Sequence, residues 1–459
     1  MTFHERQLPF DRDALAVAAA LAASSTSEYV LYENRGVIGW AENPCATVRA
    51  TSSGAVLEQG DDVSHFPAGA TGLVVDAVAR ALAALPSADW RAYGWAPFEL
   101  SHVIHGSQEL AREVPVMHLA VPSREIRFEE GSVLLRALAP GDLDALELRL
   151  SEAILDAASE QAAVRDEVDA DADVQEYDAE KYQADVALAV DEIRAGRLQK
   201  VILSRRVPVA GPVDIPATYL AGRRGNDPAR SFVLNLGGWQ AAGFSPEIVT
   251  RVTVDGEVTT QPLAGTRAFD GDPVSDLARR RELYSDPKEV FEHAISVRLS
   301  VDEMEAVCDP ATVTVDDFMI IKERGSVQHL ASKLTGQLAV GSSPWDALVS
   351  LFPAITASGI PKAPACELIA RLEDGPRGLY SGAVLTVDAD GGLDAALVLR
   401  SIYRRGGATW LRAGAGIVGD SRPERELEET REKLRSVSRH LVGSVAAAER
   451  APEFAASSN

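Results

Sequence analysis

Between Arg412 and Leu434 the chain reads RAGAGIVGDSRPERELEETREKL, and few other stretches limit its fold as tightly. Glycines 414, 416 and 419 are expected to form a turn at the end of a strand, and a helix is expected to begin after Pro423. At about 100° per residue, Glu426, Glu429 and Lys433 fall within about 60° of one another. Leu427, Leu434 and Leu441 make a second stripe centred roughly 110° away, suited to a core. One helix thus offers a packing face and a separate face with two carboxylates and an ammonium. Such a face is most often solvated. A second E-x-x-E pair, Glu289 and Glu292 in PKEVFEHAISVR, changes that balance. Two helices that each present carboxylates at i and i+3 supply oxygen ligands suited to Mg2+, which keeps some of its water and often shares its site with an anionic substrate. Without a cation, four converging glutamates would repel one another.

GAGIVG at 414–419 also matches the dinucleotide pattern G-x-G-x-x-G. The helix starts several residues too late to cap a phosphate, and too little chain follows for another βαβ unit. The dinucleotide reading is therefore rejected. The glycines are expected to let backbone N–H groups approach an anion such as a carboxylate.

At 46% hydrophobic and 25% charged, the 459 residues have the composition of a soluble globular protein. A formal charge of −23 opposes nucleic-acid binding. It leaves room for a small anionic substrate, because local Lys, Arg or metal can override the global field. Cys45, Cys308 and Cys366 lack C-x-x-C spacing, so neither a disulfide framework nor a zinc site is expected. The apolar run Ala14 to Ala23 follows Glu5, Asp11 and Asp13, which does not suit a secretion signal. A short amphipathic helix is expected there. No stretch is long and apolar enough to span a membrane, and a cytoplasmic location is expected.

Strands are expected at 28–42, 46–58, 92–105 and 116–137, with helices at 70–85 and 141–163. The acidic run Asp166 to Asp178 reads as an exposed connection. Beyond it come a helix at 179–196, a strand from Lys200, and strands near 230–237, 241–252 and 256–262. Helices at 274–284 and 287–307 follow, then strands at 326–338, 380–388, 393–402 and 408–413. Further helices are expected at 344–351, 363–372 and 423–449. The mix implies an α+β, layered fold.

Several single residues could do chemistry. Lys200 opens the strand KVILSRRV and, if buried near a metal, could serve as a base. Glu247 follows Pro246 in GFSPEIVT, where solvent exposure is the ordinary outcome. Arg400 ends AALVLR and Tyr380 lies in RGLYSG; together they could hold a carboxylate. PLAGTR (262–267) and TASGIPK (356–362) read as tight turns with free backbone donors. His329, in GSVQHL, is of a kind more often buried and satisfied than catalytic.

In this order, KVILSRRV, GFSPEIVT, PLAGTR, KEVFEHAISVR, RGSVQHL, TASGIPK, RGLYSGAV, GGLDAALVLR, WLRAGAGIV and PERELEETREKL resemble the chorismate-utilising enzymes. Within these, the likeness is to the salicylate synthases of siderophore pathways. It covers about Lys200 to Leu434, whereas residues 1–165 match in general pattern only. The resemblance implies one domain over 1–459, with a catalytic part at 178–450 and two large β-sheets wrapped by helices around a site between them. It implies that Lys200 activates water for attack at C2 of chorismate and that Glu247 protonates the departing C4 hydroxyl. By the same likeness, Glu292 and Glu429 bind Mg2+, with Glu426 and Glu289 bound directly or through water, and the metal meets the ring carboxylate. Tyr380, Arg400 and the backbone near Gly414 would hold the enolpyruvyl carboxylate, and Lys433 would add positive charge. Gly265, Thr266 and His329 would line the ring, and Thr356 would contact substrate.

Lys200 favours water over ammonia as nucleophile, because the related anthranilate synthases generally lack that lysine. Ala264 stands where aminodeoxychorismate synthases typically place a nucleophilic lysine. A monomer that needs no amidotransferase subunit is expected. The competing readings are an isochorismate synthase that stops at its first product and a non-catalytic Mg2+ and carboxylate sensor.

Overall fold

The computed structural model describes residues 2–69, 73–87, 89–111, 114–160, 168–325 and 327–444. Among the described residues, 21 strands pair antiparallel throughout. The long strands Val37–Thr51 and Met117–Glu129 run side by side and belong to two sheets at once. Their pairing shifts register between Pro44 and Ala46, beside Asn43 at φ +55°, as at a bulge that bends a strand.

On one side of this bend, Tyr29–Asn34 leads through Arg230–Leu236, Trp239–Ser245, Ser401–Arg405 and Ala408–Ile417 to Lys200–Pro208. On the other, Arg91–Ala96 leads through Ala383–Asp388, Leu393–Leu397 and Ile248–Val252 to Glu257–Thr260 and Val327–Gln337. The two expected sheets are thus both present and joined through shared strands. Residues of the first 165 pair directly with the later part, Asn34 with Arg230 and Ala96 with Ala383.

Burial follows the two-residue period of a strand. In Arg230–Leu236, Phe232, Leu234 and Leu236 pack with Tyr32, Tyr93, Trp95 and Tyr403 in an aromatic core drawn from both sheets. Val233 faces the other way, into a core covered by the helices Ala14–Ser24, Pro140–Glu160 and Ile215–Gly225. Ala189, Leu368 and Leu427, from three further helices, close over Val201 and Leu203.

Several local expectations change. Ala14–Ser24 is a helix, but Ala16 to Leu21 are all buried, so it is enclosed and not amphipathic; alanine lets neighbouring helices approach closely. Residues 100–104 are helical, ending the strand expected to reach 105. The acidic connection contains the helix Asp171–Glu176, anchored by buried Val174. PLAGTR is mostly strand (Leu263–Ala268), and Thr314–Arg324 is a strand the pattern did not suggest. The last helix spans Pro423–Ser438, so Leu441 is buried just beyond its end. Positions 445–449, 161–163 and 70–72 of the expected helices lie outside the described residues. Among the described residues, no helix is long and apolar enough to cross a membrane.

Candidate active site

Two segments cross between the sheets at one place. Pro246 and Glu247 join Trp239–Ser245 to Ile248–Val252, and residues 398–400 join Leu393–Leu397 to Ser401–Arg405. A cavity of about 770 Å3, counted to its mouth, opens at this crossing. Its wall includes Glu247, Gly265, Thr266, Glu292, His329, Thr356, Tyr380, Arg400, Gly414, Glu429 and Lys433. Lys200, Glu289 and Glu426 are not part of the wall. Lys200 and Ile202 share one face of their strand, and Ile202 does line the cavity. The Lys200 ammonium lies behind Glu292, fully buried.

The four glutamates converge on this end of the cavity, and each has its own basic partner. Glu292 Oε1 lies 3.0 Å from Lys200 Nζ, and Glu429 Oε1 lies 2.8 Å from Lys433 Nζ. Glu289 Oε1 lies 3.0 Å from an Arg267 nitrogen, and Glu426 Oε1 lies 3.1 Å from Lys288 Nζ. Four acids therefore meet four basic groups, in place of the solvated face that helix statistics favour. The electrostatics differ from acid to acid. Burial pushes the Glu426 carboxyl up to about 7. Burial acts in the same direction at Glu429, but the Lys433 and Lys288 ammoniums outweigh it and hold that carboxyl down to about 2.

These residues fit a hard divalent cation by donor chemistry. All four are buried carboxylates, a set of hard, anionic oxygen donors of the kind such a cation takes. Among the described residues, however, no group of three or more His, Cys, Asp or Glu is already arranged to hold a metal ion. The interleaved ammonium and guanidinium groups take up the carboxylate oxygens one by one.

Glu247 is buried rather than exposed, because the crossing carries it inside. Its backbone carbonyl accepts hydrogen bonds from the Leu397 N–H (3.2 Å) and the Ser245 hydroxyl (2.9 Å). The Thr356 hydroxyl donates to Oε1, and the Leu263 N–H lies 3.3 Å from Oε2. Burial outweighs these bonds and the nearby lysines, and pushes the carboxyl up to about 8. At neutral pH it carries a proton.

Arg400 stands in the other crossing, at φ +50°, a left-handed conformation that side chains seldom adopt. Its guanidinium donates to the Arg324 carbonyl at 2.8 Å and contacts His329 Nε2, and it pairs with no carboxylate among the described residues. Burial and the Arg324 charge pull its pKa down to about 9, the signature of a cation without an anion. His329 Nδ1 lies 3.0 Å from the Thr266 hydroxyl, and burial with Arg400 beside it keeps the ring neutral. Nε2 then accepts from Arg400 while Nδ1–H faces Thr266. His329 is thus both satisfied and part of the cavity wall.

Of the three glycines, only Gly419 lies in a turn. Gly414 and Gly416 lie inside the strand Ala408–Ile417, paired with Ser204 and Ile202. Their side is the cavity side, while Ala415 and Ile417 face the helices. At 416 a methyl would overlap the Glu292 carboxylate, sitting 2.7 Å from its Cδ. At 416 the missing side chain makes room for an acid. Gly265, at φ +83°, forms a bulge that brings the Thr266 N–H within 3.3 Å of Glu289 Oε2.

Sequence reasoning missed Lys288, Arg267 and Ser296. Lys288 is i−4 from Glu292 and so shares its helix face, a signal that was available. Ser296, one turn beyond Glu292, donates to its carbonyl and lies 3.0 Å from Lys200 Nζ. Arg267 gathers Glu282 and Glu289 from two helices and Asp286 from the joint between them, which only the fold brings together.

The chain belongs to the chorismate binding enzyme family, whose profile matches residues 11–439. It is 43% identical over 432 residues to a salicylate synthase of Mycolicibacterium paratuberculosis, covering 94% of this chain and 93% of that protein. Its fold resembles that of anthranilate synthase component I from Streptococcus pneumoniae at TM-score 0.68 and 25% identity, over 91% of this chain and 93% of that one. The menaquinone-specific isochorismate synthase of Escherichia coli has the same fold, at TM-score 0.68 and 23% identity over 95% of each chain.

Proposed function

We propose that this enzyme converts chorismate to isochorismate and then to salicylate and pyruvate, in a Mg2+-dependent reaction that serves siderophore assembly. The observation that carries this reading is a buried Glu247, shut away from solvent in a cavity that also holds an arginine without a carboxylate partner among the described residues and adjoins a buried lysine. Chorismate has a ring carboxylate and an enolpyruvyl carboxylate. Arg400, the Tyr380 hydroxyl and the Gly414 backbone take the enolpyruvyl carboxylate, with Lys433 adding charge. Glu247 gives its proton to the departing C4 hydroxyl, and Lys200 takes one from the water that attacks C2. Glu292 and Glu429, with Glu289 and Glu426 directly or through water, would hold Mg2+, which supplies positive charge for the ring carboxylate.

Loss of pyruvate needs no further acid or base, because hydrogen moves within isochorismate as the enolpyruvyl C–O bond breaks. The cavity has only to hold the side chain over the ring. Similarity to a salicylate synthase along nearly the whole chain supports this second step. Purified protein incubated with chorismate should release pyruvate and fluorescent salicylate with Mg2+ and neither with EDTA. Turnover undiminished in EDTA would overturn the metal assignment, and no turnover under any condition would leave a carboxylate sensor.

A further inference from the structure

Lys288 lies among the carboxylates in a position the proposed reaction does not use. Its ammonium is 3.1 Å and 3.3 Å from the two Glu426 oxygens, 3.7 Å from Glu289 Oε1 and 4.0 Å from Glu292 Oε2. Three of the four acids therefore surround one Nζ. Lys200, Lys433 and Arg267 approach the cluster from its edges, each bonded also to a group outside it: the Ser296 hydroxyl, the Gly414 carbonyl and Asp286. No hydrogen bond from Lys288 Nζ to a group outside the cluster is found among the described residues.

Lys288 also differs in how it is held. It is in the first turn of Pro287–Glu305, and its backbone N–H is fixed by the Asp286 carboxylate at 2.9 Å. Its side chain is 16% exposed, whereas that of Lys200 is fully buried. A four-carbon stem with one end pinned and an edge open to solvent can swing outward without moving the helix.

We propose that Lys288 is a resident counter-ion: its ammonium fills the glutamate cluster in the metal-free protein and must swing out before Mg2+ enters. The proposal rests on the metal site described above. An occupant present about nine-tenths of the time weakens apparent affinity about tenfold. Lys288 thus lowers metal affinity while compensating the buried Glu426 carboxylate, of which it is the basic partner.

The test is Mg2+ binding without substrate, measured by calorimetry on wild type and Lys288→Met, which keeps the stem and removes the charge. The variant should bind about tenfold tighter, melt at a lower temperature in EDTA, and gain more from added Mg2+ than wild type does. Equal or weaker binding by the variant would overturn the proposal while leaving the metal site standing. Absence of Mg2+ binding by both proteins would overturn both. If the variant does not fold, amine acetylation of wild type, mapped by mass spectrometry against the more exposed Lys181, decides the matter. Lys288 should react several-fold faster with Mg2+ than with EDTA, and an unchanged or slower reaction would contradict the exchange.

Discussion

Burial holds the Glu247 carboxyl protonated up to about pH 8, so the acid form is present at neutrality and lost as pH rises through that value. The pH profile of kcat/KM for isochorismate formation should fall on that alkaline limb. Thr356 donates a hydrogen bond that favours the ionised form. Thr356→Val should therefore move the limb to higher pH, and an unmoved limb would count against Glu247 as its source. Arg400→Ala removes a charge-assisted contact to substrate, at a cost on the order of 1.5–3 kcal/mol, or roughly ten- to 150-fold in kcat/KM. Arg400→Lys should restore only part of it; unchanged kinetics in the alanine variant would remove Arg400 from the carboxylate site. Lys200→Ala should block isochorismate formation yet still convert supplied isochorismate to salicylate. Equal loss of both steps in a folded variant would make Lys200 a positioning group. Residues such as Arg400 and Glu247 were legible because each stands in a distinctive local motif. Arg267 was not, since its value lies in three acids on and between the two helices that follow it.

At the scale of elements, the two E-x-x-E helices were legible because i, i+3 spacing fixes a shared face whatever the surroundings. Gly414 and Gly416 were misread as part of the turn that Gly419 does form, since glycine density marks turns more often than strands that must admit a neighbour. The strand reading has a consequence at 416. Gly416→Ala would force Glu292 away from its position beside Lys200, with overpacking of about 1–3 kcal/mol. Calorimetry should show weakened Mg2+ binding and melting a lowered midpoint. Gly419→Ala, where the nearest atom to a new methyl is 3.8 Å away, should do neither. If both variants behaved alike, close approach of Glu292 would not explain the glycine.

Over the whole molecule, two sheets that share Val37–Thr51 and Met117–Glu129 bring together residues from Lys200 to Lys433, although the sequence signals lay almost wholly after residue 200. The first part was hard to read because its contribution is pairing and core, which any β-rich apolar pattern can supply. The net charge of −23 is likewise no guide to the site, where four acids are matched by four bases. The most direct test of the proposed two-step reaction is a time course of all products from chorismate and Mg2+. Isochorismate should rise and then fall while salicylate and pyruvate accumulate in equal amounts, and added isochorismate should yield salicylate without a lag. Isochorismate that builds up to a steady level with no salicylate or pyruvate, from either substrate, would contradict it.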